Sequence, residues 1–267
     1  MTILDEIVAF KKVEVEKSKQ SCSIEKLRGF PFYDGECFSL RDNLLGSEKV
    51  GIIAEFKRKS PSKKNINLTA NLEQVVKGYE KSNVAGISVL TDSNFFGGTL
   101  NDLQKARSFV TTPLLRKDFV IDSYQLHEAK AYGADVVLLI ANILTPDQTE
   151  SLALEAKELG LETLLEIDSM GHIDSHIIDT IDIVGVNNRN LKTFLTSITN
   201  SLNLLDSIPD QFARISESGI HTISDARQLL NSGFNGLLMG QKFMQEENTV
   251  QACQDFIQEL NHAIYEG

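Results

Sequence analysis

From residue 50 onward the chain repeats one unit: a short apolar run, a turn, then an amphipathic segment. The runs read VGIIAEF, GISVL, PLLRKDF, DVVLLI, ETLLEI, DIVGV, FARIS and NGLLM. Segments between them, such as NLEQVVKGYEKSN, SYQLHEAKAYG, TPDQTESLALEAKELG and TISDARQLLNSG, carry helical periodicity. Gly133, Gly160 and Gly233 fall where a helix hands over to the next run, the place of a C-terminal cap. Eight strand–helix units are what a closed barrel requires. An open doubly wound sheet competes, because periodicity does not show closure. Eight units of one kind, without a Gly-rich dinucleotide turn, favour the barrel. The expected fold is α/β: a single (β/α)8 TIM barrel over residues 1–267, with about 1–49 as an N-terminal helical extension.

That extension opens with TILDEIVAFKKVEVEKSKQ, read as a helix. Thr2 and Asp5 have capping-box spacing, and Ile3, Ile7 and Phe10 recur at helical intervals. Residues from about 28 to 49 read as mixed and loop-like.

Composition narrows the function. A formal net charge of -11 argues against a general nucleic-acid binder, though not against a local cationic pocket for a small anion. Cys22, Cys37 and Cys253 are too few and scattered for a disulfide framework or a zinc site. No signal-peptide pattern is present, and the longest apolar runs, such as VVLLIA, fall far short of a membrane span. The expectation is a cytoplasmic protein, monomer or weak oligomer, with no nucleic-acid or membrane partner.

In a barrel, alternate strand residues point inward and chemistry gathers at the strands' C-terminal ends. Functional side chains should therefore fall on one parity at the end of each run. Ile53 leads to Glu55 and Lys57, Leu115 to Lys117, and Leu164 to Glu166. Gly185 leads to Asn187 and Arg189, and Ile215 to Glu217. Each position also has a plain structural reading. Lys57 and Lys117 fit rim lysines, Glu166 and Glu217 fit paired structural acids, and Arg116 fits an outward charge. His127, His172, His176, His221 and His262 lack metal-ligand spacing and fit surface or helix positions. Phe95 and Phe96 fit a loop covering the mouth. The structural readings weaken jointly, because five strand ends would have to coincide.

Lysines converging with carboxylates in a low-dielectric mouth shift one another's pKa, so Lys suits a general acid and Glu a base. Asn187 and Arg189 offer planar donors for a carboxylate or carbonyl. Gly219 with the helix start behind it, and Gly240 in LMGQKF, suit backbone binding of an anion, with Ser60 and Lys57 adding a hydroxyl and a charge. A small phosphorylated substrate with a carboxylate or carbonyl fits this set. No metal and no organic cofactor is expected.

The blocks IIAEFKRKSPSK, FFGGTLNDL, PLLRKDFVID, GADVVLLI, VGVNNRNLKTF and SESGI resemble, in order, the signature of the indole-3-glycerol phosphate synthase family. The match runs from about residue 50 to 240, and the N-terminal helix resembles that family's extra helix. The resemblance implies ring closure of 1-(2-carboxyphenylamino)-1-deoxyribulose 5-phosphate with loss of carbon dioxide and water, a carboxy-lyase step of tryptophan biosynthesis. It implies Lys117 as general acid, Glu166 as base or cation stabiliser, and Glu55 and Lys57 as the acid–base set of dehydration. Asn187, Arg189, Glu217 and Ser218 would orient the anthranilate half. Ser60, Gly219 and Gly240 would hold the phosphate, Phe119 and Leu138 would line the slot for the aromatic ring, and Leu238 is a further candidate substrate-binding position. Lys64, where the family usually has Gly, and Gln241, where small or acidic residues are common, depart from its pattern. An isomerase-like phosphate-binding barrel would instead favour a Cys/Asp pair at strand ends, and no cysteine lies at one. A barrel kept only as a binding module should have lost one of Lys57, Lys117 and Glu166.

Overall fold

The computed structural model describes residues 2–46, 51–61, 63–190 and 195–265. Ser62 of SPSK and residues 191–194 of the NNRNLKTF block lie outside them. In chain order the elements begin with α1 (Ile3–Ser21), α2 (Ile24–Arg28), α3 (Leu40–Leu45) and β1 (Ile52–Phe56). Then come α4 (Leu72–Lys81), β2 (Gly86–Leu90), α5 (Leu100–Arg107), β3 (Leu114–Lys117), α6 (Tyr124–Ala131) and β4 (Val136–Ile140). Next are α7 (Pro146–Glu158), β5 (Glu162–Ile167), α8 (Met170–His176), β6 (Ile183–Asn187), α9 (Thr199–Leu204) and β7 (Ala213–Glu217). The chain finishes with α10 (Ile223–Ser232), β8 (Gly236–Met239), α11 (Gln241–Met244) and α12 (Thr249–Tyr265).

Each strand pairs in parallel with its sequence neighbour, and β1 pairs with β8 through Ile53 opposite Leu238. The barrel is closed, which removes the open-sheet alternative. The strands are short and buried on both faces, as a parallel sheet wrapped by helices must be. The two faces segregate by parity. Ile53, Leu115, Leu138, Leu164, Ile183, Ile215 and Leu238 fill the barrel interior. Ile52, Ala54, Phe56, Leu114, Val137, Leu165, Val184 and Leu237 pack outward against the helices.

Local chemistry sets the helix ends. Thr2 and Asp5 close α1 with the expected capping box, and Thr145 with Gln148 closes α7 behind Pro146 at its first turn. Gly233 ends α10 at a φ of 117°, a left-handed cap that glycine adopts without a Cβ penalty.

The extension differs from its sequence reading in two ways. The buried stripe of α1 runs through Ile7, Lys11 and Val15, while Phe10 is 41% exposed against the edge of Phe95. The stretch read as loop-like contains α3, capped by Ser39, whose Leu40 and Leu44 join the interior cluster. Burying Leu40 completely contributes roughly 2 kcal/mol by its apolar area. Among the described residues, no helix is long and apolar enough to cross a membrane.

Candidate active site

Every residue nominated from the sequence lines one cavity of about 220 Å³ at the C-terminal mouth of the barrel. These are Glu55, Lys57, Ser60, Lys117, Phe119, Leu138, Glu166, Asn187, Arg189, Glu217, Ser218, Gly219, Leu238 and Gly240. The strand register explains the convergence. Glu166 stands opposite Gly185, Asn187 opposite Glu217, and Glu217 opposite Leu238, so successive strands deliver polar ends to one level.

At the centre is Lys117. Its Nζ lies 3.0 Å from Glu166 Oε2 and 2.5 Å from Glu217 Oε2. Burial works against its charge, but Glu217, Glu166 and Glu55 pull harder, and the ammonium is held well above the usual lysine range. Asn187 Nδ2 donates to the other oxygen of Glu166 at 2.9 Å, and Asn187 Oδ1 accepts from Arg189 N at 2.9 Å. Glu166 is thus fixed from both sides. Across the mouth, Glu55 and Lys57 form an ion pair. Burial also disfavours the Arg189 charge, with Glu55 as the opposing attraction.

Glu217 is the unusual acid. Burial, Glu166 and Glu55 push its carboxyl up to about 7 against the pull of Lys117. Its Oε1 is buried and meets no hydrogen-bond partner among the described residues. Two glycines leave room for the acids. A Cβ on Gly185 would overlap Glu217 Oε1, and one on Gly240 would overlap Glu55 Oε1. A strand glycine marks close approach of this kind.

The anion end differs in part from expectation. Ser218 and Gly219 turn the chain after β7 with φ of 69° and 72°. Asn188 pins the turn by donating to Ser218 O at 3.1 Å and Ser216 Oγ at 2.8 Å. Holding a serine there costs of order 1 kcal/mol. The start of α10, however, is closed by its own Thr222–Asp225 capping box, and Asp225 Oδ2 also accepts from His221 N and Thr222 N. Those donors serve the cap, not an external anion. Gln241 faces the cavity, while Lys64 is exposed.

The opposite wall is apolar. Phe119 and Phe96 meet with ring centroids 5.9 Å apart, beside Leu138, Ile140 and Leu238. The family resemblance suggests a role over the mouth for residues 1–49 but names no α1 residue there; Ile3, Leu4 and Ile7 of α1 close this wall. The readable signal was an apolar stripe without an assigned partner. Sequence reasoning missed Asp118 and Lys242, which line the cavity next to nominated residues. Arg116 points outward as expected. His127 and His176 lie on helices but are buried, His127 against Tyr33 and His176 against Leu144 O. Helical spacing alone does not tell which face of α6 or α8 is covered. Among the described residues, no cluster of His, Cys, Asp and Glu could hold a metal ion.

Fold and cavity define a (β/α)8 barrel with buried acid–base groups at its mouth, the layout of a barrel enzyme. The chain belongs to the indole-3-glycerol phosphate synthase family, whose model matches residues 4–256. An indole-3-glycerol phosphate synthase from Bacteroides thetaiotaomicron is 43% identical over 258 residues, spanning 97% of this chain and 98% of that protein. One from Salinibacter ruber is 40% identical and spans 94% of each. Among solved structures, 3-hexulose-6-phosphate synthase from Salmonella typhimurium superposes with a TM-score of 0.62 at 13% identity. It covers 79% of this chain and 98% of that one, a likeness of fold alone.

Proposed function

We infer that this chain closes the indole ring of 1-(2-carboxyphenylamino)-1-deoxyribulose 5-phosphate, releasing carbon dioxide and water. The observation that carries the reading is Lys117, a largely buried ammonium clamped between Glu166 and Glu217 in a cavity with one apolar wall.

The substrate has an anion at each end and a reacting centre between. Phosphate is assigned to the rim formed by Ser60, the Ser218–Gly219 turn and Gly240, and the aryl carboxylate to Lys57 and Arg189. The ring lies against Phe119, Leu138 and Leu238. Holding both ends of a flexible chain brings the ring carbon to the ketone carbon, where orientation supplies much of the rate. As the new carbon–carbon bond forms, electrons move to the ketone oxygen. Lys117, charged at any working pH, meets that oxygen and gives up its proton as alkoxide basicity develops. Carbon dioxide then leaves and returns its bonding pair to the ring.

Dehydration needs a proton removed and the hydroxyl protonated as it departs. Glu166, fixed by Asn187, is placed to face the cationic ring intermediate. The proton transfers of this step are assigned to the Glu55–Lys57 ion pair and to Glu217, whose carboxyl is raised to about 7. We also assign the helices before β1 to the same folding unit as the barrel, because α1 closes the cavity's apolar wall. Three free cysteines suit a reducing cytoplasm. The isomerase-like reading has no support in the cavity, since Cys22, Cys37 and Cys253 lie outside its lining.

The deciding experiment mixes purified protein with the ribulose phosphate substrate, with chelator present, and follows indole fluorescence. A rising signal is expected; a flat trace over hours at high enzyme concentration sinks the reading.

A further inference from the structure

One buried cation has no part in the chemistry above. Lys11 lies on α1, yet its side chain is only 2% exposed. Its Nζ meets Glu14 of the same helix at 2.5 Å, Asp118 at 2.8 Å and Asp92 at 3.1 Å. Burial opposes the charge, but Asp118 and Asp92 outweigh it and keep the amine well above the ordinary lysine range. A simple docking contact does not need such depth. The same helix has shallower anchors in Lys19 with Asp122 at 2.7 Å and in the Tyr124 hydroxyl on Ser18 O.

The two distant partners root the two segments that carry the cavity's aromatic rings. Asp92 follows β2, and its Oδ1 accepts from Phe95 N at 2.7 Å and Phe96 N at 3.2 Å. Asp118 directly follows Lys117, and its Oδ1 accepts from Phe119 N at 2.8 Å. Its Oδ2 takes the Thr91 hydroxyl at 2.6 Å, so the ends of β2 and β3 are cross-linked beneath the rings. Ile7, one turn before Lys11, reaches into the same cavity.

We infer that Lys11 is a positioning residue for the reaction: by bridging Asp92 and Asp118 it fixes the spacing of Phe96 and Phe119 around the aromatic half of the substrate. The inference rests on the functional reading above, in which that wall receives the ring. Lys11 touches no reacting atom. It acts through the two aspartates on the two phenylalanines, and α1 becomes a working part of the ring slot.

The test compares wild type, Lys11→Met, Phe96→Ala and the double variant, measuring kcat and KM with the ribulose phosphate substrate. Lys11→Met is expected to raise KM roughly tenfold and to lower kcat by a smaller factor, because a misplaced slot weakens holding and alignment together. Loss of folded protein alone would lower apparent kcat and leave KM untouched. The double variant should fall well short of the product of the single effects, since both changes disturb one slot. Should Lys11→Met not fold, Asp92→Asn keeps the acceptor for Phe96 N but removes the charge facing Lys11, and the same KM pattern is expected at smaller size. An unchanged KM, or effects that multiply independently, overturns the inference while an active wild type leaves the functional reading standing. A wild type that neither binds nor converts the substrate overturns both.

Discussion

Neighbouring residues of β3 serve two buried charge clusters, and one acid in each, Asp118 and Glu217, shifts in the opposite direction to the other. Lys117 points into the cavity toward Glu166 and Glu217; Arg116 points outward and is closed on all sides. Its guanidinium donates to Gln125 O at 2.7 Å, Thr91 Oγ1 at 3.2 Å, and Asp118 and Glu128 at 3.1 Å each. In that outer cluster, burial pushes the Asp118 carboxyl up, and Lys11 and Arg116 more than reverse it, holding it far below the usual range. In the inner one, Glu217 is lifted to about 7 and keeps an oxygen without a hydrogen-bond partner among the described residues. Depth of burial is alike, so it does not separate scaffold from chemistry. Saturation does. A carboxylate met by cations, hydroxyls and backbone N–H groups has one stable protonation state, whereas one with spare capacity near neutral pH can trade both proton and partner.

Substitutions on the two faces should therefore split activity from stability. The largest effect is expected for Lys117→Met. Turnover should fall by about 10²–10⁴-fold, the usual worth of a positioned proton donor. Glu217 can take up a proton once its cation is gone, so the melting temperature should move little. Full activity in this variant would end the acid assignment. Arg116→Met should show the reverse. Removing the cation strands Glu128 in the interior and leaves Asp118 with Lys11 alone, and should cost about 3–5 kcal/mol in denaturant unfolding, as for a broken buried pair. Turnover per folded molecule should fall far less than in Lys117→Met. A stability change below about 1 kcal/mol, the worth of an exposed pair, would show that the outer cluster is not a support.

The inner face was largely legible because its signal is periodic. A strand's two-residue repeat continues past its apolar part, so Lys117, Glu166 and Glu217 could be placed by counting from Leu115, Leu164 and Ile215. Closure of the barrel was not legible, since the pairing of β1 with β8 joins residues 185 positions apart in Ile53 and Leu238. The outer cluster stayed hidden for a related reason. In FKKVEVEK nothing local separates Lys11 from Lys12, and the carboxylates that bury Lys11 arrive from β2 and β3. One clue was available. Ile7, Lys11 and Val15 share a helix face at four-residue spacing, and a lysine within a buried stripe demands a charged partner. Short α3 escaped notice because six residues carry too little periodicity to stand out from a loop.

The gentlest prediction uses pH to separate the two clusters without removing a cation. Glu217 has a folded value of about 7, above the ordinary glutamate value of 4.5. Folding therefore favours its protonated form. The contribution is fully present below about pH 4.5 and is lost as pH rises through about 7. Glu217→Gln, neutral at every pH, has no such loss, so its melting temperature relative to wild type should improve between pH 5 and pH 8. Asp118 moves the other way. Its depressed value adds stability above the ordinary aspartate value of 3.8, which fades only in stronger acid as pH falls toward the folded value. Asp118→Asn should therefore show a melting deficit that is the same at pH 5 and pH 8 and narrows only in acid below that window. If the Glu217→Gln difference were also flat from pH 5 to 8, Glu217 would be ionised throughout that range. Glu217 would then be as saturated as Asp118.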